Sequence, residues 1–224
     1  MKRFGTARPL RVLIAGGGGG VGLECASVLA CHEIELILCD IDGTGLTRAA
    51  DQLNVFTRYC DAIDENSVAI FATEIAEKFS SIDVLINAAG RGYVRSLGMM
   101  RMTRAFMPLL RNAAGRRLLI NIAPAGGFVS NNGMFPHSSS RRSFHALSDA
   151  IKEQARGTSI HVVNITPKLL RGREANECVQ DRLYRLERVD GEDVARRVLE
   201  LIDAACGLGD RREPPNLGWL SRPN

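Results

Sequence analysis

Arg11-Val12-Leu13-Ile14-Ala15 runs directly into Gly16-Gly17-Gly18-Gly19-Gly20-Val21-Gly22, and a helical pattern follows over residues 20–31. The first five residues fit a strand covered on both faces, where side chains need not alternate between apolar and polar. A glycine-rich match is weak in isolation; between a strand and a helix it carries information. Glycine permits the tight turn and lets backbone approach a pyrophosphate closely. The helix behind it offers unpaired N–H groups and the positive end of its dipole. The segment therefore predicts a dinucleotide cradle built on Gly16, Gly20, Val21 and Gly22, against the plainer alternative of a flexible turn that binds nothing.

Asp40 ends the next apolar run, 18 residues beyond Gly22. A carboxylate there can accept hydrogen bonds from both hydroxyls of an adenosine ribose. It would also repel a 2′-phosphate by roughly 1–4 kcal/mol for each charge pair at contact distance. Ile41 rather than an arginine follows it. NAD is accordingly expected over NADP. The alternative for Asp40 is a surface turn residue, since Ile41-Asp42-Gly43 adjoins it.

Beyond these two features, apolar runs and amphipathic stretches alternate along the whole chain. Strands are expected at residues 11–15, 35–39, 55–60, 83–87, 117–122 and 159–166, with helices at 20–31, 44–53, 65–79, 98–112, 138–154 and 191–206. In the last of these, Val194, Val198, Leu201 and Ile202 keep helical spacing. Alternation of this kind predicts an α/β fold, a Rossmann-type doubly wound parallel sheet with helices on both faces. Its 224 residues suit a single domain over residues 1–210, with an irregular tail at 211–224 that holds three of the eight prolines.

Composition narrows the function. The 29 basic and 25 acidic residues interleave to a net charge of +4, and no basic stripe suggests nucleic acid. Arg91, Arg95, Arg101 and Arg104 form the densest basic run and read as a solvated face or a subunit contact. Cys25, Cys31, Cys39, Cys60, Cys178 and Cys206 include no CxxC pair, and four of them fall in expected core elements. That usage fits reduced thiols packed as small hydrophobes and no metal site. The N-terminus lacks a signal-peptide pattern, and no apolar run is long enough to span a membrane. A cytoplasmic protein with no membrane partner is the expectation.

Taken together, these residues resemble the short-chain dehydrogenase/reductase family. Ala15–Gly22 is similar to its TGxxxGxG turn, with Ala15 in place of threonine, and Asn87-Ala88-Ala89-Gly90 to its NNAG segment. Cys60-Asp61 looks like the end of its third strand. Thr103-Arg104-Ala105 with Pro108 matches its long middle helix, Asn121-Ile122 its NIS strand end, and residues 189–195 its PEEVA-like helix start. The resemblance covers residues 10–206. It implies that Asp61 contacts adenine and that Asn87, Ala88, Ala89 and Gly90 line the cofactor cleft. It also implies subunit contacts through the middle helices, where Met99, Met100, Met102 and Met107 lie, and so a homodimer or homotetramer.

The same resemblance implies a catalytic serine, then a tyrosine 13 residues later in YxxxK. Here Pro124 stands at the serine position, His137 at the tyrosine position and Arg141 at the lysine position; no YxxxK occurs anywhere. Arg95 matches the family's helper asparagine, and Pro167-Lys168 its proline-glycine. Pro124 offers no side-chain donor. His137 has an ordinary pKa near 6.5, and a cation at i+4 disfavours its protonated form. A neutral imidazole is a poor acid and a usable base, so alcohol oxidation is the direction His137 could support. Arg141 keeps a positive charge but cannot relay a proton as an ammonium can. His137 is otherwise a helix-start residue, with Ser138 or Ser139 as the cap; no acid and second histidine accompany the serines as a hydrolase would require.

Three readings follow. One is an NAD(H)-binding member without the usual catalysis, acting as a sensor, a regulatory subunit or the partner of an active paralogue. Another is an NAD-dependent oxidoreductase of a small alcohol or carbonyl, with His137 as a rearranged acid/base. The third is a purely structural protein, which would not need the glycine turn, Asp40 and Asp61 together. The charged stretch over residues 169–188, where the family places a substrate lid, disfavours a bulky apolar ligand.

Overall fold

The Leu10–Ala15 strand, β1, sits in the middle of a six-stranded sheet. The computed structural model describes residues 8–89, 95–115, 117–122, 135–165 and 191–208, with side chains throughout those ranges except at 135–141. The other strands are β2 (Ile34–Asp40), β3 (Phe56–Tyr59), β4 (Val84–Asn87), β5 (Arg117–Ile122) and β6 (Ile160–Ile165). Their order is β3-β2-β1-β4-β5-β6, and every neighbouring pair is parallel. The chain thus winds outward in one direction from β1 to β3, then returns to start again at β4. The point of reversal lies between β1 and β4, and the crevice at their carboxyl ends is where such sheets take ligands.

Among the described residues, six helices cover the two faces: α1 (Gly20–Leu29), α2 (Gly43–Leu53), α3 (Glu65–Lys78), α4 (Arg95–Asn112), α5 (Phe135–Ala155) and α6 (Gly191–Cys206). Val12 and Ile14 of β1 point to one face, with Leu23 and Leu29 of α1, Leu46 of α2, and Val194, Val198 and Ile202 of α6. Leu13 and Ala15 point to the other, with Phe71 and Ile75 of α3, Met102 and Phe106 of α4, and Phe144 of α5. The doubly wound architecture expected from the alternation is the one present.

Differences are confined to element ends. The α4 helix begins at Arg95, so Arg95 is buried and not part of a solvated basic face, whereas Arg104 is exposed and pairs with Glu65. Met99 and Met102 lie in the core, and Met100 is the methionine of that helix most open to solvent. The α5 helix begins at Phe135 rather than at residue 138, which places Ser138 and Ser139 inside the helix and not at its cap. Pro136 is compatible with this, because the first helical turn has no partner for the N–H that proline lacks. The expected lid at 169–188, Cys178, the boundary at 210 and the tail at 211–224 lie outside the described residues.

Candidate dinucleotide site

The glycine run is fixed by close backbone contacts. Gly16 adopts φ +91°, and a Cβ there would stand 2.6 Å from the Ala89 nitrogen. A Cβ on Gly22 would stand 2.0 Å from the Gly16 carbonyl oxygen, so the first turn of α1 lies flat against the loop that precedes it. Gly16 N–H and Gly17 N–H both donate to the Cys39 carbonyl, at 2.8 and 3.1 Å, which ties the turn to the end of β2. Each of these positions excludes a side chain for a reason internal to the fold.

Gly19 and Gly20 are different: a Cβ on either would meet nothing within 4 Å. Gly19 occupies the N-cap of α1, where no side chain caps the helix and no acid lies in the first turn. Open space therefore sits directly above uncapped N–H groups. Such a terminus suits a diphosphate, whose charge the helix dipole favours. The residues present fit the expected cofactor here.

At the end of β2, Asp40 Oδ2 accepts the Gly18 N–H at 2.9 Å and Oδ1 accepts the Asp42 N–H at 3.1 Å. An ionised carboxylate has about four acceptor positions, so two remain for further donors. Gly18 is pinned from behind as well, since a Cβ on Gly45 would stand 2.0 Å from its carbonyl oxygen. Asp42 caps α2 by accepting the Gly45 N–H at 3.0 Å, which delivers that glycine to the contact. Gly45 was not singled out from sequence; its position three residues after a capping aspartate was the available signal.

Asp61 turns the chain after β3. Its Oδ1 accepts the Ile63 N–H at 2.8 Å, and its own N–H donates to Ser67 Oγ at 2.9 Å. Ala88 N–H donates to the Ala15 carbonyl at 2.9 Å, and Ala88 and Ala89 lie against Gly16. Gly16, Gly20, Val21, Gly22, Asp40, Asn87, Ala88 and Ala89 thus share the carboxyl edge of β2, β1 and β4. Gly90 and Pro124 lie outside the described residues.

A second feature of that edge escaped sequence reasoning. Asn87, Asn121 and Asn164 stand in register on β4, β5 and β6. Asn87 Nδ2 donates to Asn121 Oδ1 at 2.9 Å and to Thr103 Oγ1 of α4 at 3.1 Å. Asn121 Nδ2 donates to Ser148 Oγ of α5 at 2.7 Å, and Ser148 in turn hydrogen-bonds Asn164 Oδ1. One buried polar chain links three strands and two helices where the sheet ends. On α5 the residues Phe144, Ser148, Ile151 and Ala155 are buried. The backbone of His137 and Arg141 belongs to α5; their side chains lie outside the described residues.

No group of three or more His, Cys, Asp or Glu residues that could hold a metal ion occurs among the described residues, and no helix there is long and apolar enough to cross a membrane. Solved structures share the architecture. A short chain dehydrogenase/reductase from Burkholderia phymatum in complex with NAD superposes with a TM-score of 0.77 at 21% identity, covering 92% of this chain and 89% of that one. A metagenomic short-chain oxidoreductase in complex with NADP gives 0.71 at 19% identity, covering 87% and 90%. Among curated proteins, an uncharacterized oxidoreductase of Staphylococcus saprophyticus is 23% identical over 181 residues, 70% of this chain and 77% of that protein. The family described as short chain dehydrogenase matches residues 11–182, most of the sequence, and the chain belongs to it.

Proposed function

We propose that this chain binds NAD(H) and has lost the family's usual catalysis, serving a sensing or regulatory role, alone or beside an active paralogue. The observation that carries the binding half is Asp40. Its carboxylate is held by Gly18 and Asp42 at the end of β2, beside the uncapped start of α1. The diphosphate would lie over Gly19 and Gly20, the ribose hydroxyls on the free acceptor positions of Asp40, and adenine toward Asp61. The likeness to proteins bound to NAD or NADP supports a nicotinamide dinucleotide in general; the choice of NAD rests on the charge of Asp40.

The catalytic half of the proposal rests on residue identity. Hydride transfer is what a bound nicotinamide supplies, and it needs a proton donor or acceptor at the substrate oxygen. With Pro124, His137 and Arg141 at the serine, tyrosine and lysine positions, the usual donor and its activating ammonium are absent. A positioned acid or base contributes roughly 10²–10⁴ in rate, and such groups act together rather than additively.

Titration of the protein into NADH, followed by nicotinamide fluorescence, tests the binding: saturable enhancement is expected. A panel of small alcohols with NAD and small ketones with NADH tests the loss of catalysis, for which no turnover is expected. Turnover abolished by His137→Ala would replace this reading with that of an oxidoreductase using a histidine base.

A further inference from the structure

Gly191, the first residue of α6, is buried, and the reason for a glycine there lies on another helix. A Cβ at this position would stand 1.5 Å from Glu24 Oε2, 2.5 Å from Glu24 Cδ and 2.9 Å from Glu24 Oε1. The carboxylate of a residue on α1 therefore occupies the place of a side chain at the start of α6. The φ of Gly191 is not positive, so its backbone conformation makes no demand for glycine. Glu24 makes that demand.

Leu23, Ala26 and Leu29 of α1 share a core cluster with Val194, Val198 and Ile202 of α6. The two helices meet along apolar faces, and Glu24 stands where that contact reaches the first turn of α6. Its Oε2 is shut off from solvent. Enclosing a carboxylate is costly unless opposing charge or hydrogen-bond donors surround it. A helix start supplies both, as N–H groups without intrahelical partners and as the positive end of the dipole. Glu192 and Asp193 lie in the same turn, but both are exposed and share Arg196, at 2.9 and 3.7 Å. Water and their own cation screen them. Glu24 also adds to burial in raising the neighbouring Cys25 thiol. Of these three acids, Glu24 is the one whose charge acts on the helix end with least screening.

No short connection sets where α6 begins, since β6 ends at Ile165 and α6 starts at Gly191. We propose that Glu24 and Gly191 form an interhelical latch, in which the Glu24 carboxylate holds the amino end of α6 against α1 and glycine keeps its seat open. The amino end of α1 itself meets the glycine turn, so the latch ties α6 to the helix that carries the proposed diphosphate site. It rests on no bound ligand and stands apart from the NAD(H) reading.

The carboxylate is the free end of a rotatable side chain. A methyl group at position 191 therefore turns Glu24 away instead of straining the backbone, and Gly191→Ala acts as a removal of the Glu24 contact. Once Glu24 has been replaced by alanine, the same methyl enters the space that the carboxylate has left, and alanine is the better helix former. The effect of Gly191→Ala thus reverses sign with its background, as two residues acting through one contact require.

The test compares the full chain with Glu24→Ala, Glu24→Gln, Gly191→Ala and the Glu24→Ala/Gly191→Ala double variant, all without NADH. Amide hydrogen exchange is followed at residues 195–198, the first N–H groups bonded within α6, and at residues 10–15 of β1, alongside Tm. Glu24→Ala and Gly191→Ala should each speed exchange at residues 195–198 by roughly tenfold and leave β1 unchanged. The double variant should exchange no faster than Glu24→Ala and melt no lower. Glu24→Gln, which keeps the shape without the charge, should fall nearer to Glu24→Ala than to the unaltered chain; the reverse would overturn the part assigned to charge. A Gly191→Ala penalty undiminished in the Glu24→Ala background would overturn the latch, because the methyl would then collide with something other than the carboxylate. Equal acceleration at β1 and α6 would overturn it as well, since a latch acts locally. Should Glu24→Ala fail to fold, Glu24→Gln replaces it in the cycle with Gly191→Ala and the same sign reversal is required.

Discussion

Replacing Asp40 by alanine removes a carboxylate that holds the Gly18 and Asp42 N–H groups and, in the proposed complex, two ribose hydroxyls. A hydrogen bond to a charged group contributes about 1.5–3 kcal/mol net, so losing even one such interaction should weaken NADH binding by roughly 10- to 100-fold. NADPH responds in the opposite sense, because its 2′-phosphate no longer meets a like charge worth roughly 1–4 kcal/mol. Taking the lower figure for each, the NADH-to-NADPH preference should move by about 2.5 kcal/mol, a factor of roughly 50–100. The ratio is the useful readout. Disorder of the Gly18 loop would weaken both dinucleotides alike and cancel, whereas a direct contact with the ribose cannot cancel. Fluorescence titrations of both cofactors against both proteins supply the four constants. An unchanged ratio in Asp40→Ala, however weak the binding had become, would refute the placement of the ribose on this carboxylate.

Two glycines separate fold from function: Gly16→Ala forces a side chain into φ +91° against the Ala89 backbone, costing about 1–3 kcal/mol or more in thermal unfolding. Gly19→Ala, with open space before it and an extended φ of −171°, should cost only about 0.5–1 kcal/mol, since alanine is a poorer N-cap than glycine, yet weaken NADH binding by crowding the diphosphate. Asn121→Ala breaks the buried polar chain and leaves Asn87 and Ser148 each short of a partner; a loss of about 3 kcal/mol is expected, visible as a fall in Tm of roughly 6–12 °C. Burial, helped by the neighbouring Glu24, pushes Cys25 from 9.0 up to about 12. Its stabilising share is whole below the unfolded value and is lost as pH climbs toward the folded one, because the unfolded chain binds fewer protons there. Stability should therefore fall between about pH 9 and 12 by up to ~1.4 kcal/mol per pH unit, and Cys25→Ala should flatten that slope in urea titrations.

The sequence made the nucleotide half of the molecule legible because its determinants are local. A glycine run between β1 and α1, and an acid at the end of β2, are each set by a few adjacent residues, and β1 and β4 stand out as short, mainly apolar runs. Arg95 shows where this stops. Counted among arginines it belongs to a charged surface, but the extra turn at the start of α4 carries it into the interior. Gly45 shows the same limit from the other side: the capping Asp42 three residues earlier marks a helix start but not contact with Gly18, which is 27 residues away and brought there by the packing of α2 on the loop. Asn87, Asn121 and Asn164 are separately ordinary, and only strand register makes them a row.

That row clarifies why the two halves of the carboxyl edge differ. Along β2 and β1 the edge is closed by backbone: the Cys39 carbonyl takes two glycine N–H groups, and Asp40 takes two more from the loops beside it. Glycine makes this possible, since only a chain without Cβ atoms can fold back so tightly on its own strand. Along β4, β5 and β6 the edge is closed by side chains, with Thr103 and Ser148 anchoring it to α4 and α5. A backbone closure leaves N–H groups and open space for an anionic ligand. A side-chain closure instead fixes the spacing of α4 and α5 against the sheet, and α5 is the helix on which positions 137 and 141 lie. A change of side chain at those positions therefore leaves untouched the polar chain that locates their helix. The asparagine row and the glycine turn respond to different substitutions, so the proposed dinucleotide binding would not depend on which side chains stand at positions 137 and 141.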